Sequence, residues 1–172
     1  MLLSKADIVL ALTRLGELAA LNHEHLRLVI VGGAVMTLAY DARDSTKDID
    51  ALFLTPPDAS QTRAWAKLVA SELDLDEDWL NDGAKGFLNG ITRGQQLINA
   101  KGIEVWQVAP EQMLAMKLSA WRDDTDINDV KRLLQEFKQV TLEEVWLLLE
   151  PYLIRGQEQK ARYALEDVWA DV

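Results

Sequence analysis

The sequence predicts an α+β (α/β) protein: a small mixed sheet flanked by helices, followed by a helical C-terminal half. Three observations lead there. Apolar runs of strand length, bounded by Gly, Asp or Pro, fall at 25–31, 47–54 and 95–108. Longer stretches with helical spacing separate them. From Pro110 onward every stretch reads as helix. The 172 residues are 49% hydrophobic, enough to fold around a core. The expected division is an α/β core over 1–109 and a helical part over 110–172, packed on it as one compact domain.

Each element has a local reason. Residues 5–21 place Ile8, Leu12, Leu15 and Leu18 on one helical stripe. "HLRLVIVGG" is a short strand that runs into Gly32 and Gly33, and "AVMTLAYDA" continues as a helix. "KDIDALFL" is the next strand. "TPPDASQ" supplies a loop and then a helix N-cap, and "QTRAWAKLVASEL" is the helix. Residues 74–94 contain four glycines and many acids, so an irregular connection is expected. "QQLINAKGIEVWQV" is a hairpin turning at Lys101-Gly102. "PEQMLAMKLSAW" opens with Pro near the first helical position and an early Glu. "DTDINDVKRLLQEF" has an acidic first turn. Thr141 is the expected N-cap of "LEEVWLLLEPYL", with Glu144 at capping-box spacing, and 157–170 forms a last helix.

Composition narrows the function. Net charge is −10, which disfavours general duplex binding, because phosphate contacts need clustered Lys and Arg. The same charge suits a basic protein partner. There is no cysteine, so disulfides and thiolate metal sites are excluded, and a cytoplasmic location is expected. No apolar run has membrane-spanning length. Trp65, Trp121, Trp146 and Trp169 fall on expected helices, where packing accounts for them better than base stacking does.

Two motifs carry chemistry. Gly32 and Gly33 lie at a strand-to-helix turn, where free N–H groups and the absence of Cβ let a phosphate approach closely. The spacing is neither G-x-G-x-x-G nor a P-loop, so neither a dinucleotide fold nor a Walker ATPase is supported. Asp48 and Asp50 alternate along a strand and so share a face, with Ile49, Ala51 and Phe53 on the other. Two convergent carboxylates suit Mg²⁺, which takes oxygen ligands and keeps waters and substrate phosphates. Each motif alone has a plainer reading, a tight turn for the glycines and a solvated strand end for the acids. His23 and His25 form an H-x-H that reads better as an exposed loop pair than as a metal site. Asn81, Asp82 and Lys85, in the irregular stretch, are further candidates to line a pocket.

Taken together, "VGGAVMTLAYDARDSTKDIDALF" resembles the nucleotidyltransferase superfamily with the DNA polymerase β-type fold. More narrowly, the chain resembles the small bacterial nucleotidyltransferases grouped as DUF6036, which are similar to AbiEii-type toxins. "WLNDGAKGF" is similar to a stretch typical of that group. "APEQMLAMKLSAWRDDTDINDVKRLL" is similar to a downstream pattern of helix Lys, then Arg, then two spaced acids, here Lys117, Arg122, Asp126 and Asp129.

The resemblance implies that Gly32 and Gly33 hold nucleotide phosphates and that Asp48 and Asp50 bind Mg²⁺. It implies that Lys117 offsets the triphosphate charge, with Arg43 a further phosphate or aspartate contact. Asp126 or Asp129 would orient the acceptor or act as base. By residue type alone, Lys117 is a surface lysine and the later acids are helix-start charges. The chain departs from the family pattern at Ala34, where many relatives carry Ser after the glycines. A third carboxylate is not obvious, and Glu104 on the hairpin is the candidate metal ligand, sharing its face with Trp106. The implied activity is Mg²⁺-dependent transfer of NMP from NTP to a hydroxyl of tRNA or protein, in a toxin–antitoxin or phage-defence setting. The alternative is a catalytically weak member of the fold that binds a cognate protein, as an antitoxin would.

Overall fold

The computed structural model describes residues 1–55, 59–121 and 124–171. The fold is mixed α+β, as expected. The chain divides into two compact units, Met1–Lys85 with Arg93–Gln107, and Gly86–Thr92 with Val108–Val172.

The first unit contains β1 (Leu3–Ser4), α1 (Lys5–Leu21), β2 (Leu26–Val31), α2 (Gly32–Leu38), β3 (Ser45–Thr46), β4 (Ile49–Thr55), α3 (Ala59–Leu73), β5 (Leu80–Asn81), β6 (Gln96–Ala100) and β7 (Ile103–Gln107). Its main sheet has the order β5-β4-β2-β7-β6, and β1 pairs with β3 beside it. The β2/β4 and β6/β7 pairs are antiparallel, and the β2/β7 and β4/β5 pairs are parallel. Helix α1 starts at Ser4, whose hydroxyl accepts from Asp7 N–H at 3.3 Å while the Asp7 carboxylate accepts from Ser4 N–H at 2.9 Å. Such a cap contributes about 1 kcal/mol.

Helix α1 covers the sheet face that holds Leu26, Leu28, Ile30 and Ile103, all fully buried. It comes so close to the β6–β7 turn that a Cβ on Gly16 would overlap Ile103 and one on Gly102 would overlap the Gly16 carbonyl. Gly102, at φ +73°, also turns the hairpin where expected. Arg14 on α1 and Glu72 on α3 lock the two helices at 2.6 Å.

The second unit contains α4 (Pro110–Ala120), α5 (Asp124–Leu134), α6 (Leu142–Leu149) and α7 (Glu158–Trp169). Thr141 and Glu144 form the expected capping box, with Thr141 N–H donating to Glu144 at 2.7 Å. Lys160 from α7 donates to the Ser119 and Ala120 carbonyls at 3.1 and 3.0 Å, which closes the end of α4. The Arg162 guanidinium lies 5.2 Å from the Trp146 ring centre while it pairs with Glu143 and Glu166.

Several expectations change in detail. The helix after the glycines stops at Leu38 rather than continuing through 42. The expected irregular stretch contains the short strand β5 and a 3₁₀ turn at Gly83–Phe87. Residues 86–92 belong with the helices, not the core. Gln112, fully buried on α4, accepts from Thr92 N–H at 2.9 Å and donates to the Gly90 carbonyl at 3.0 Å, which ties this segment to α4. The expected loop and cap at 56–58 lie outside the described residues, as does Arg122. Among the described residues no helix is long and apolar enough to cross a membrane.

Candidate functional site

Sheet register fixes which residues meet. Paired residues on neighbouring strands point to the same face, and the face alternates along a strand. Asp50 pairs with Val31 on β2 and with Asn81 on β5, so it stands at the end of β2 where Gly32 begins. It points away from the face covered by α1, because its neighbour Ala51 pairs with Ile30 on that covered face. Ile49, Ala51 and Phe53 lie on the covered side, as expected.

Gly32 lies beside one of the two acids, Asp50. Gly32 has φ +68°, and a Cβ there would lie 3.3 Å from Asp50 Oδ2. A Cβ on Gly33 would lie 2.5 Å from Thr46 Oγ1 and 3.4 Å from Arg43 Nη1. Thus Gly32 and Gly33 form a narrow cradle between the Asp50 carboxylate on one side and Thr46 with Arg43 on the other. Val31, the residue that precedes α2, has no side-chain acceptor to cap the first turn. Ala34 is fully buried in α2 and brings no hydroxyl to the cradle.

Asp48 precedes β4 rather than lying on it. Thr46 Oγ1 donates to the Asp48 carbonyl at 3.1 Å and holds this approach to the strand. The two carboxylates still converge electrostatically. Burial, and then the negative charge of Asp48, push the Asp50 carboxyl above the usual carboxylate range. The Asn81 side chain donates a hydrogen bond that offsets part of this rise. Asn81 is itself oriented by Gly83 N–H, which donates to its Oδ1 at 3.0 Å.

Asp82 and Lys85 join a different cluster. Asp82 Oδ2 lies 2.6 Å from both Arg63 and Lys85, and Lys85 sits 6.0 Å from the Phe53 ring centre. The Lys85 bond holds the Asp82 carboxyl below its usual range against its partial burial, with Arg63 adding to it. This cluster pins the segment after β5 to α3 and so supports Asn81.

Glu104 is corrected as a metal ligand. Its face is the one expected, since Arg27, Val29 and Val31 alternate with the covered residues, and Arg27 pairs with Glu104. Its position along the sheet is wrong for the role. From Val31 to Arg27 is four residues and from β4 to β7 is two strand spacings, so Glu104 lies about 16 Å from Asp50. Glu104 is instead paired with Arg27 at 3.1 Å and His25 at 3.4 Å. Against the upward push of its desolvation, these bonds hold its carboxyl below the ordinary range. His23 and His25 are exposed. Among the described residues no three His, Cys, Asp or Glu side chains gather where they could hold a metal ion.

The second unit holds the remaining candidates together. Lys117, in the last turn of α4, places Nζ 2.9 Å from Asp126 Oδ1 and 2.7 Å from Asp129 Oδ2. Asp126 and Asp129 are three residues apart on α5, so they share one side of that helix. The three side chains are 10%, 4% and 2% exposed. They form a buried ion cluster, not a surface lysine and two solvated helix-start charges.

Thr46 also borders the cradle, and no sequence motif marks it. It sits in the "STKDID" stretch, but its contact with Gly33 follows from the β1/β3 pairing, which leaves no period to read. Replacing Gly32 with Ala is expected to cost about 1–2 kcal/mol, because L-residues resist positive φ. The added methyl would also press on Asp50. Urea denaturation of the variant checks the first effect, and nucleotide titration checks the second.

A glycine turn running from a strand into a helix, with an acidic pair at the start of the neighbouring strand of a mixed sheet, is the layout of a nucleotidyltransferase-like fold. Residues 10–164 match the family model described as "Nucleotidyltransferase of unknown function (DUF6036)", and the chain belongs to that family. Searches of curated proteins and of solved structures each found no match.

Proposed function

We propose that the protein transfers a nucleoside monophosphate from an NTP to a hydroxyl group, with Mg²⁺, and releases pyrophosphate. The observation that carries this reading is the contact between the Gly32 turn and the Asp50 carboxylate, whose ionised form is disfavoured by burial and by Asp48. A carboxylate kept under that strain beside a cradle without Cβ atoms suits a divalent cation and a phosphate chain.

The donor set fits Mg²⁺, because two carboxylates leave positions for waters and substrate phosphates. Asp48 and Asp50 would hold it, and it would supply charge neutralisation at the reacting phosphate. Gly32 and Gly33 let the phosphates approach the backbone. Arg43, beside Gly33, adds positive charge. Asn81 keeps the Asp50 carboxylate oriented. In the reaction the acceptor oxygen bonds to the α-phosphorus, the bond to the bridging oxygen breaks, and the hydroxyl proton leaves to a base. Positioning contributes most of the rate.

The family resemblance assigns Lys117 to the triphosphate and Asp126 or Asp129 to the acceptor proton. The same resemblance extends the proposal to an acceptor on tRNA or on a protein side chain, in a toxin–antitoxin or phage-defence setting.

Incubation with each α-labelled NTP, Mg²⁺ and a mixture of tRNA and cellular protein tests this. Label is expected on one macromolecular class, and its appearance is expected to fall at least about 100-fold in Asp48→Ala/Asp50→Ala, in keeping with the loss of a catalytic charge clamp. Equal labelling by the variant would overturn the assignment.

A further inference from the structure

We propose that a groove along α7 binds an arginine-bearing segment of a basic protein partner. The groove lies within the second unit and shares no residue with the Gly32–Asp50 cradle.

One face of a helix builds it. Gln159, Lys160, Tyr163, Ala164 and Asp167 recur along α7 at the spacing of a single face, and Trp121 at the end of α4 joins them in the lining. The cavity holds about 760 Å³ and is open to solvent. From Gln159 to Asp167 the helix rises about 12 Å. That is the length of about four extended residues, so the groove takes a peptide segment rather than a free ion.

Two rings border this space. Trp121 is half-buried and closes α4 with a left-handed backbone, φ +30° and ψ 77°. Bulky residues resist that conformation and glycine does not, so the indole is kept at the groove despite backbone strain. Tyr163 is 63% exposed, and Gln159 Nε2 donates to its hydroxyl oxygen at 3.3 Å, which steadies the ring.

The charges select the ligand. Asp167 is exposed and has no ion pair or hydrogen bond among the described residues. Lys160 is already engaged, donating to the Ser119 and Ala120 carbonyls at 3.1 and 3.0 Å. A phosphate would therefore meet an unpaired carboxylate and an occupied ammonium. A guanidinium stacks on aromatic rings and pairs with a carboxylate, so it uses all three groups. The net charge of −10 draws a basic partner to such a surface. The same unit shows this arrangement satisfied internally. The Arg162 guanidinium lies 5.2 Å from the Trp146 ring centre and pairs with Glu143 and Glu166. Trp121, Tyr163 and Asp167 offer matching parts that no described arginine fills.

Titration calorimetry with blocked tri-arginine tests the proposal, with tri-lysine, tri-glutamate and a short single-stranded RNA as comparisons. The variants are Tyr163→Ala and Asp167→Asn. Both positions are exposed, so the fold is kept, and circular dichroism checks this. Wild type is expected to bind tri-arginine at least about 5-fold more tightly than tri-lysine, and not to bind tri-glutamate. Tyr163→Ala weakens tri-arginine about 5-fold, as loss of a cation–ring contact does. Asp167→Asn weakens it about 10-fold, as loss of a charge-assisted bond does. Tri-arginine affinity unmoved by both variants would place the binding on another acidic surface and overturn the groove. Absence of tri-arginine binding up to about 1 mM would overturn it as well. RNA binding tighter than tri-arginine binding, and lost in Tyr163→Ala, would give the rings to a base and overturn the assignment to a cation.

Discussion

Replacing Lys117 with methionine is expected to destabilise the protein by about 3–5 kcal/mol, the cost of removing one partner from a buried ion pair. The two carboxylates that face its ammonium, Asp126 and Asp129, are almost fully buried. Methionine keeps much of the stem's volume, so the loss comes from charge rather than from a cavity. Replacing all three members together, as Lys117→Met with Asp126→Asn and Asp129→Asn, is expected to recover part of the loss, because the carboxylates that faced the ammonium are neutralised with it. Urea denaturation at constant pH reads both effects. A cost below about 1 kcal/mol for Lys117→Met would mean that the cluster behaves like an exposed pair.

Asp50→Asn is expected to act in opposite directions on stability and on binding. The carboxyl of Asp50 is raised in the folded state above its ordinary value of 3.8. Below that value both folded and unfolded chains carry the proton, and Asp50 costs nothing. As pH rises from there through the folded-state value, the unfolded chain gives up the proton first, so native stability falls. At neutral pH the full cost is present, and Asn removes it. Asn also retains an oxygen that can accept from Asn81. The variant should therefore melt higher than wild type at pH 7, and the difference should vanish below about pH 3.8. The same variant should lose Mg²⁺-dependent nucleotide binding. A group that destabilises its own fold while its removal abolishes binding is kept for function.

Local chemistry made much of this legible in the sequence. The Thr141–Glu144 cap, the Lys101-Gly102 turn and the Gly32-Gly33 exit each depend on residues a few positions apart, and each lies where its residue types place it. The face of Glu104 was also readable, because strand faces alternate with period two. Its distance from Asp50 was not, because that depends on the register of β7 against β2, which no local pattern encodes. Strand β5 is two residues long and pairs in parallel with β4, too short to show any period. Asn81 could be named as a candidate, but its hydrogen bond to Asp50 is a product of that pairing. Lys117, Asp126 and Asp129 could be named from the family pattern, while their mutual burial follows only from how α4 meets α5.

Gly32, Asp48 and Asp50 together are proposed to form the nucleotide site. Titration calorimetry of each NTP, with and without Mg²⁺, on wild type and on Asp48→Ala/Asp50→Ala, tests it most directly. Mg²⁺-dependent binding by wild type is expected to fall at least about 100-fold in the variant, the loss of two charge contacts to the cation. Binding that is equal in the two proteins, or no binding of any NTP by folded wild type, would contradict it.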